Sequence, residues 1–172
     1  MSRKPDPNEV IWSPWRKGYV IKPDKEAVCV FCRAAREVKH DRRNLVLTRS
    51  GAGFVIINRF PYNNGHLMVV PNRHLSDLTE LAADEAADLF ELARRAVLVL
   101  KERLRPEGFN LGLNLGRAAG AGIASHLHIH IVPRWNGDTN FMPVVGGVKT
   151  VPDSLDALYR ELRKDFQADV HR

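Results

Sequence analysis

The sequence predicts an α+β domain: a mainly antiparallel sheet of about five strands, one long helix inserted between the third and fourth strands, and a second helix near the end. Three observations carry this. Short apolar runs are separated by glycine- and asparagine-bearing turns of hairpin length. Residues 84–104 are amphipathic at helical spacing. The stretch from Ser125 to Trp135 alternates histidine with aliphatic residues at the period of a strand.

In chain order, residues 1–26 form an arm, polar and proline-bearing, with an aromatic knot at Trp12, Trp15 and Tyr19 that is expected to pack on the domain's flank or on a partner chain. Residues 44–49 and 53–58 read as strands around the turn Ser50-Gly51-Ala52-Gly53. The loop Arg59–Gly65 ends on an Asn-Gly pair, and His66–Pro71 is the third strand. In the long helix, Ala86, Leu89, Phe90, Ala93, Val97, Leu100 and Leu104 form the predicted buried stripe. Asp84 and Glu85 suit its N-terminal dipole, and Pro106 and Gly108 stop it. Phe109–Leu115 is the fourth strand, and the glycine loop Gly116–Gly122 leads into the histidine strand. After Pro152, Leu155, Leu158, Leu162 and Phe166 mark the closing helix.

The chain has 172 residues, enough for one domain with a core and arms left over. No run is long and apolar enough to span a membrane, and Met1–Asp6 is polar rather than signal-like, so the cytoplasm is the expected address. A formal charge of +6 suits an anionic partner without separating a nucleotide from a nucleic acid. The basic cluster Arg33, Arg36, Lys39, Arg42 and Arg43 is interrupted by Glu37 and Asp41 and reads as a solvated surface.

The chain's two cysteines, Cys29 and Cys32, fall in one C-x-x-C. In a reducing compartment the readings are zinc, a redox dithiol or coincidence. A redox pair normally opens a helix in a parallel β–α–β unit, which the pattern here does not provide. Zinc needs two further ligands, for which His126 and either His74 or His40 are candidates.

His126, His128 and His130 alternate with Leu127, Ile129 and Ile131, so one strand face should carry three imidazoles at steps of roughly 6.6 Å and the other should join a core. A solvent face usually mixes threonine, lysine and glutamate. Three imidazoles in a row suit a metal, a phosphate or proton transfer. Gly120 and Gly122 permit an anion nest of backbone N–H groups, and Asn114 stands beside it.

These residues resemble the histidine triad (HIT) superfamily of nucleotidyl hydrolases and transferases. His126-Leu127-His128-Ile129-His130-Ile131-Val132 matches its His-φ-His-φ-His-φ-φ signature, and Asn58, Gly65-His66-Leu67-Met68-Val69-Val70-Pro71 and Asn114-Leu115-Gly116 recur at family-like spacing. The likeness divides the chain into the arm 1–26, a HIT domain 27–145 and an extension 146–172. Trp12–Arg16 and Pro133–Asp138 bring it nearest to the bacterial and archaeal branch of Fhit-type dinucleoside polyphosphate hydrolases and HIT-type diadenosine tetraphosphate phosphorylases. The resemblance implies that His128 attacks an α-phosphorus to give a covalent nucleotidyl-histidine, that His130 polarises the phosphate oxygens, and that His66 supports them. It also implies that Asn58 holds the ribose, that Asn114 and the Gly120–Gly122 loop hold the phosphate, and that Cys29, Cys32, His74 and His126 ligate one structural zinc. A divalent cation could accompany the polyphosphate, and the chain should form a homodimer with a continuous sheet. Trp135, five residues past His130, would offer a base a stacking face.

One departure bears on the acceptor. Many relatives carry Ser or Thr three or four residues before the first triad histidine, where this chain has Ile123 and Gly122. Hydrolysis is therefore expected ahead of phosphorolysis. A nucleotide-binding module would not need a central nucleophile, and a zinc-stabilised nucleic-acid binder would show a concentrated basic face with stacking aromatics.

Overall fold

Alternation along the strands decides the architecture, because the second and third strands are buried on both sides. The computed structural model describes residues 29–138 and 154–169. Helix α1 (Val30–Arg36) is followed by a 3-10 turn and the short α2 (Asp41–Asn44). Strands β1 (Val46–Arg49), β2 (Gly53–Ile57) and β3 (Leu67–Pro71) precede the long α3 (Ala83–Leu104). Strands β4 (Gly108–Leu113) and β5 (Ile129–Arg134) come next, and α4 (Leu155–Asp169) is the last helix. The strands form one antiparallel sheet in the order β1-β2-β3-β5-β4.

One face of the sheet carries Leu47, Val55, Ile57, Leu67, Val69 and Ile131, which pack against α3 and α4 in the larger core. The opposite face carries Val46, Phe54, Ile56, Met68 and Val70, covered by Phe31 and Ala34 of α1. Each second residue of β2 and β3 thus enters a different core, and neither strand has room for a polar side chain. Register puts His130 opposite Met68 and Gly112, so it lies on the α1 face, while Ile131 enters the α3 core. The long helix and the histidines therefore occupy opposite sides of the sheet.

Helix α3 begins where Glu85 accepts the Ala82 N–H, 3.0 Å away, and ends at Arg105, whose left-handed φ of 48° returns its N–H to the Lys101 carbonyl just before Pro106. Its buried stripe is Leu89, Leu92, Ala93, Ala96, Val99 and Leu100. Phe90, expected in that stripe, is 70% exposed. At 100° per residue it points away from Leu89, and the tighter 3-4 spacing from Leu89 to Leu100 takes the sheet side. In α4, Leu158, Tyr159, Leu162 and Phe166 are buried against the same core, and Arg103 clamps Asp165 through two bonds of 2.8 and 2.6 Å.

Two further expectations are corrected. The histidine strand enters the ladder only at Ile129, because the Leu127 N–H donates to the Leu75 carbonyl (2.7 Å), beyond the end of β3. The C-x-x-C does open a helix: Cys29 is the residue before α1 and Cys32 lies in its first turn, although no parallel β–α–β unit surrounds it among the described residues. The aromatic knot at Trp12, Trp15 and Tyr19 lies outside the described residues.

Gly53 is where the first hairpin meets α3. A Cβ there would lie 2.6 Å from the Val70 carbonyl oxygen and collide with Leu89. Gly53→Ala should lower stability by roughly 1–3 kcal/mol in urea denaturation. Gly51→Ala, whose Cβ would meet nothing within 4 Å, is the control and should stay near wild type.

Candidate active site and metal centre

The histidines are positioned by two chain segments, β3 with its flanks and β5 with the residues before it. His66 is fully buried (0% exposed) at the start of β3, and the Tyr62 N–H donates to its Nδ1 at 3.0 Å. Nδ1 is therefore the bare nitrogen and Nε2 carries the proton. That Nε2–H lies 2.9 Å from His130 Nδ1 and donates to it. Neutral His130 accordingly holds its own proton on Nε2. The Tyr62 ring lies over His66, with centroids 4.7 Å apart, and reaches His130 at 5.8 Å.

His128 is set the opposite way. Its Nδ1–H donates to the His126 carbonyl at 2.8 Å, which leaves Nε2 as a bare lone pair. At 6% exposure, burial holds its pKa below the usual imidazole value, so the ring is neutral and nucleophilic near pH 7. Its ring meets that of His130 edge-on at 4.8 Å and Phe31 at 5.3 Å. One imidazole offering a lone pair beside another offering an N–H is an arrangement that can attack an electrophile and hold the oxygen attached to it.

His126 turns to the other group. It is 1% exposed, and its Nε2–H donates to the Pro71 carbonyl at 3.0 Å, so Nδ1 is the free ligand atom. Burial again lowers its pKa and keeps it unprotonated. That Nδ1 stands 3.4 Å from Cys29 Sγ, 3.6 Å from Cys32 Sγ and 3.2 Å from His74 Nδ1, and Cys32 Sγ is 3.1 Å from His74 Nδ1. All four ligand atoms lie within 4.8 Å of one another. A tetrahedral zinc with bonds of about 2.3 Å to sulfur and about 2.0–2.1 Å to nitrogen would space sulfur and nitrogen about 3.6 Å apart and two nitrogens about 3.3 Å apart. The donor set fits. Burial first, and the Cys29 thiol next, push the Cys32 thiol up, which disfavours its charge unless a cation is held there. The loop bearing His74 is pinned by Arg73, whose paired hydrogen bonds hold the Glu85 carboxyl down to about 2. His40, the alternative ligand, is exposed on the 3-10 turn after α1 and outside this cluster.

The remaining expected residues are placed as follows. Asn58 follows β2; its Oδ1 accepts from the Phe60 N–H at 2.9 Å and its amide lies 3.4 Å from both ring nitrogens of His66. Asn114 follows β4 and lies against Gly120, with its Nδ2 3.7 Å from where a Cβ at 120 would sit. Gly120 has φ +85°, a conformation that favours glycine, and its N–H donates within the loop to the Arg117 carbonyl. Gly122 is exposed, and Trp135 begins the turn that closes on Asp138. From His130 a cavity of about 390 Å³ runs along β4 and β5, past Asn114, Gly112 and Asn110 to Arg134 and Asp138. Sequence reasoning missed Tyr62 and Phe31. Tyr62 sets the His66 tautomer through its backbone N–H, which leaves no side-chain signature, whereas its ring against His66 and Phe31, an aromatic between two cysteines, were readable signs of a covered site.

Residues 39–137 match the family model described as the HIT domain, which includes His74 and His126 but begins after the two cysteines. An AP-4-A phosphorylase of Mycobacterium tuberculosis is 40% identical over 162 residues, covering 91% of this chain and 83% of the relative. An uncharacterised HIT-like protein of Methanocaldococcus jannaschii is 34% identical over 142 residues, covering 79% of this chain and 99% of the relative. Among solved structures, a Zn-bound histidine triad family protein from Mycobacterium smegmatis superposes with a TM-score of 0.64 at 27% identity, covering 84% of this chain and 97% of that one.

Proposed function

The chain belongs to the HIT domain family, and from that premise we propose that it is a nucleotidyl hydrolase or transferase cleaving dinucleoside polyphosphates at the α-phosphate. The observation that carries the reading is the opposed tautomers of His128 and His130. His128 Nε2 attacks the α-phosphorus, the P–O bond to the rest of the polyphosphate breaks, and the electron pair leaves on that oxygen. The nucleotidyl-imidazole is then attacked by an acceptor oxygen, whose proton passes to solvent, and His128 is returned as the leaving group. His130 Nε2–H and the Asn114 amide donate to the phosphate oxygens as charge develops. His66, held by Tyr62, fixes His130 in the donating tautomer. Asn58 lies on the ribose side.

Two acceptors remain in play, and each has an observation in its favour. The loop before His126 lacks a hydroxyl at Gly122 and Ile123, which supports water. The 40% identical relative is a phosphorylase, which supports inorganic phosphate. With diadenosine tetraphosphate, water gives AMP and ATP, and phosphate gives ADP and ATP. Resolving products with and without phosphate decides between them. In either case His128→Ala should fall below roughly 1% of wild-type turnover, and acid-quenched wild type should carry a nucleotidyl adduct on the peptide containing His128. A variant keeping most of the rate would remove His128 from the reaction.

Zinc held by Cys29, Cys32, His74 and His126 would tie α1 to the segment that carries the nucleophile, a structural role supported by the donor spacing and by a zinc-bound family neighbour. Metal analysis should find about one zinc per chain. Cys29→Ser with Cys32→Ser should release it and lower the melting temperature, while turnover persists in the cold; metal-free protein with wild-type stability would refute the assignment.

The reading includes a homodimer paired through β4, the edge of the sheet, where Leu111 and Leu115 are exposed. Light scattering should give twice the chain's 19.4 kDa, and Leu111→Lys should shift it toward the monomer. No helix among the described residues is long and apolar enough to cross a membrane. A cytoplasmic address suits two free thiols arranged as ligands. A divalent cation, if used, would arrive with the polyphosphate.

A further inference from the structure

The Asp138 carboxylate closes the far end of the groove that runs from His130 along β4 and β5, and its side chain is only 9% exposed. A charge buried that far needs several donors. Arg134 donates to it at 2.6 and 3.0 Å, the Trp135 N–H at 3.2 Å, and the Asn63 side-chain amide, 75 residues earlier, at 2.7 Å. The bonds from Arg134 and Trp135 close the turn after β5. The bond from Asn63 ties that turn to the loop between β2 and β3. We propose that Asp138 is a positioning residue for the reaction: through Asn63 it holds the loop whose Tyr62 N–H sets the tautomers of His66 and His130. The assignment rests on the nucleotidyl transfer proposed above.

The path from carboxylate to imidazole is short. Asn63 Nδ2 gives one hydrogen to Asp138 and the other to the Pro133 carbonyl at 3.0 Å, so its amide is fixed at two points on the end of β5. Its own carbonyl accepts the His66 N–H at 3.2 Å, and the N–H of the preceding residue, Tyr62, donates to His66 Nδ1 at 3.0 Å. On the inner side Gly65, left-handed at φ +74°, leaves no free space: a Cβ there would lie 2.5 Å from Leu104 and 3.3 Å from Pro133. Packing stops the loop moving inward, and the Asn63 side chain stops it moving out.

A neutral imidazole carries one proton, and fixed partners decide which nitrogen holds it. With the Tyr62 N–H in place, His66 accepts at Nδ1 and donates from Nε2, and His130 keeps its hydrogen on Nε2. With the loop released, His66 is free to carry its proton on Nδ1. Its Nε2 then accepts from His130 Nδ1–H, and His130 turns a lone pair, in place of an N–H, toward the phosphate. No proton is gained or lost in this exchange; the phosphate loses a donor.

Imidazole nitrogens report the difference directly. In isotope-labelled protein, long-range proton–nitrogen spectra separate the two tautomers, and His66→Gln identifies the His66 signals by their loss. Wild type should show His66 protonated on Nε2 alone. Asn63→Ala and Asp138→Ala should each bring in the Nδ1-protonated form and lower kcat for diadenosine tetraphosphate by about tenfold or more, well short of the roughly 10⁴-fold that a fully wrong tautomer can cost. The double variant should fall no further than either single one, because both cut the same path. Arg134→Ala spares the Asp138–Asn63 bond and should keep the wild-type His66 spectrum. Asp138→Asn, equal in size and still an acceptor, should lie between wild type and Asp138→Ala, and it decides the matter where an alanine variant does not fold. His66 protonated on Nε2 alone in every folded variant overturns the proposal, as does a changed tautomer with unchanged kcat. A spectrum altered as much by Arg134→Ala as by Asp138→Ala overturns the path through Asn63. Should wild type turn over no dinucleotide, the reaction reading fails instead, and the His66 spectra still decide what Asp138 holds in place.

Discussion

The site depends on the junction between β3 and the segment entering β5. Within the ladder the two strands pair from Leu67–Ile131 to Val69–Ile129. Past its end, the Leu127 N–H reaches Leu75 and the His126 ring reaches the Pro71 carbonyl. These bonds carry the extended course of the chain beyond the last rung, and they align His66, His74, His126, His128 and His130 on one side. Were the two segments to slip by one residue, the imidazoles would exchange places with Leu127, Ile129 and Ile131, and polar rings would enter the α3 core. The apolar alternation that builds the core therefore also fixes which way the chemistry faces.

Three buried histidines are costly unless their nitrogens are partnered. Each is partnered here, and each in a different sense. His66 accepts at one nitrogen and donates at the other, His128 donates to a carbonyl, and His126 donates to a carbonyl while presenting its second nitrogen to two thiols. Satisfying the burial requirement has thus assigned every proton. The metal cluster and the proposed nucleophile share one residue: the ring of His126 faces the thiols and its carbonyl receives His128.

Much of this was readable from residue order. Hairpin turns, the long amphipathic run and the alternating histidines gave the sheet and the two longer helices, α3 and α4, and the Cys29–Cys32 pair with His126 gave three of the four candidate metal ligands, the fourth standing open between His74 and His40 until the family likeness pointed to His74. What was not readable depended on partners distant in sequence. Phe90 looked like a core residue because any apolar residue within one step of the stripe does so; only the sheet's position decides between neighbours on a helix. The late start of β5 was hidden because extended chain outside a ladder has the same alternation as chain within it. The groove was invisible for a similar reason: it is made by an absent side chain at Gly112 and by a carboxylate, Asp138, that neutralises Arg134 from beyond the strand.

The settings of His66 and His128 rely on main-chain atoms, the amide of residue 62 and the carbonyl of residue 126. Every amino acid brings a carbonyl, and every one but proline brings an amide hydrogen. Descent can therefore replace the tyrosine ring at 62 with almost any side chain and still inherit the same wiring of protons. The parts of the site most tolerant of drift are, on this account, among those most decisive for its chemistry, and comparing side chains alone would pass them over.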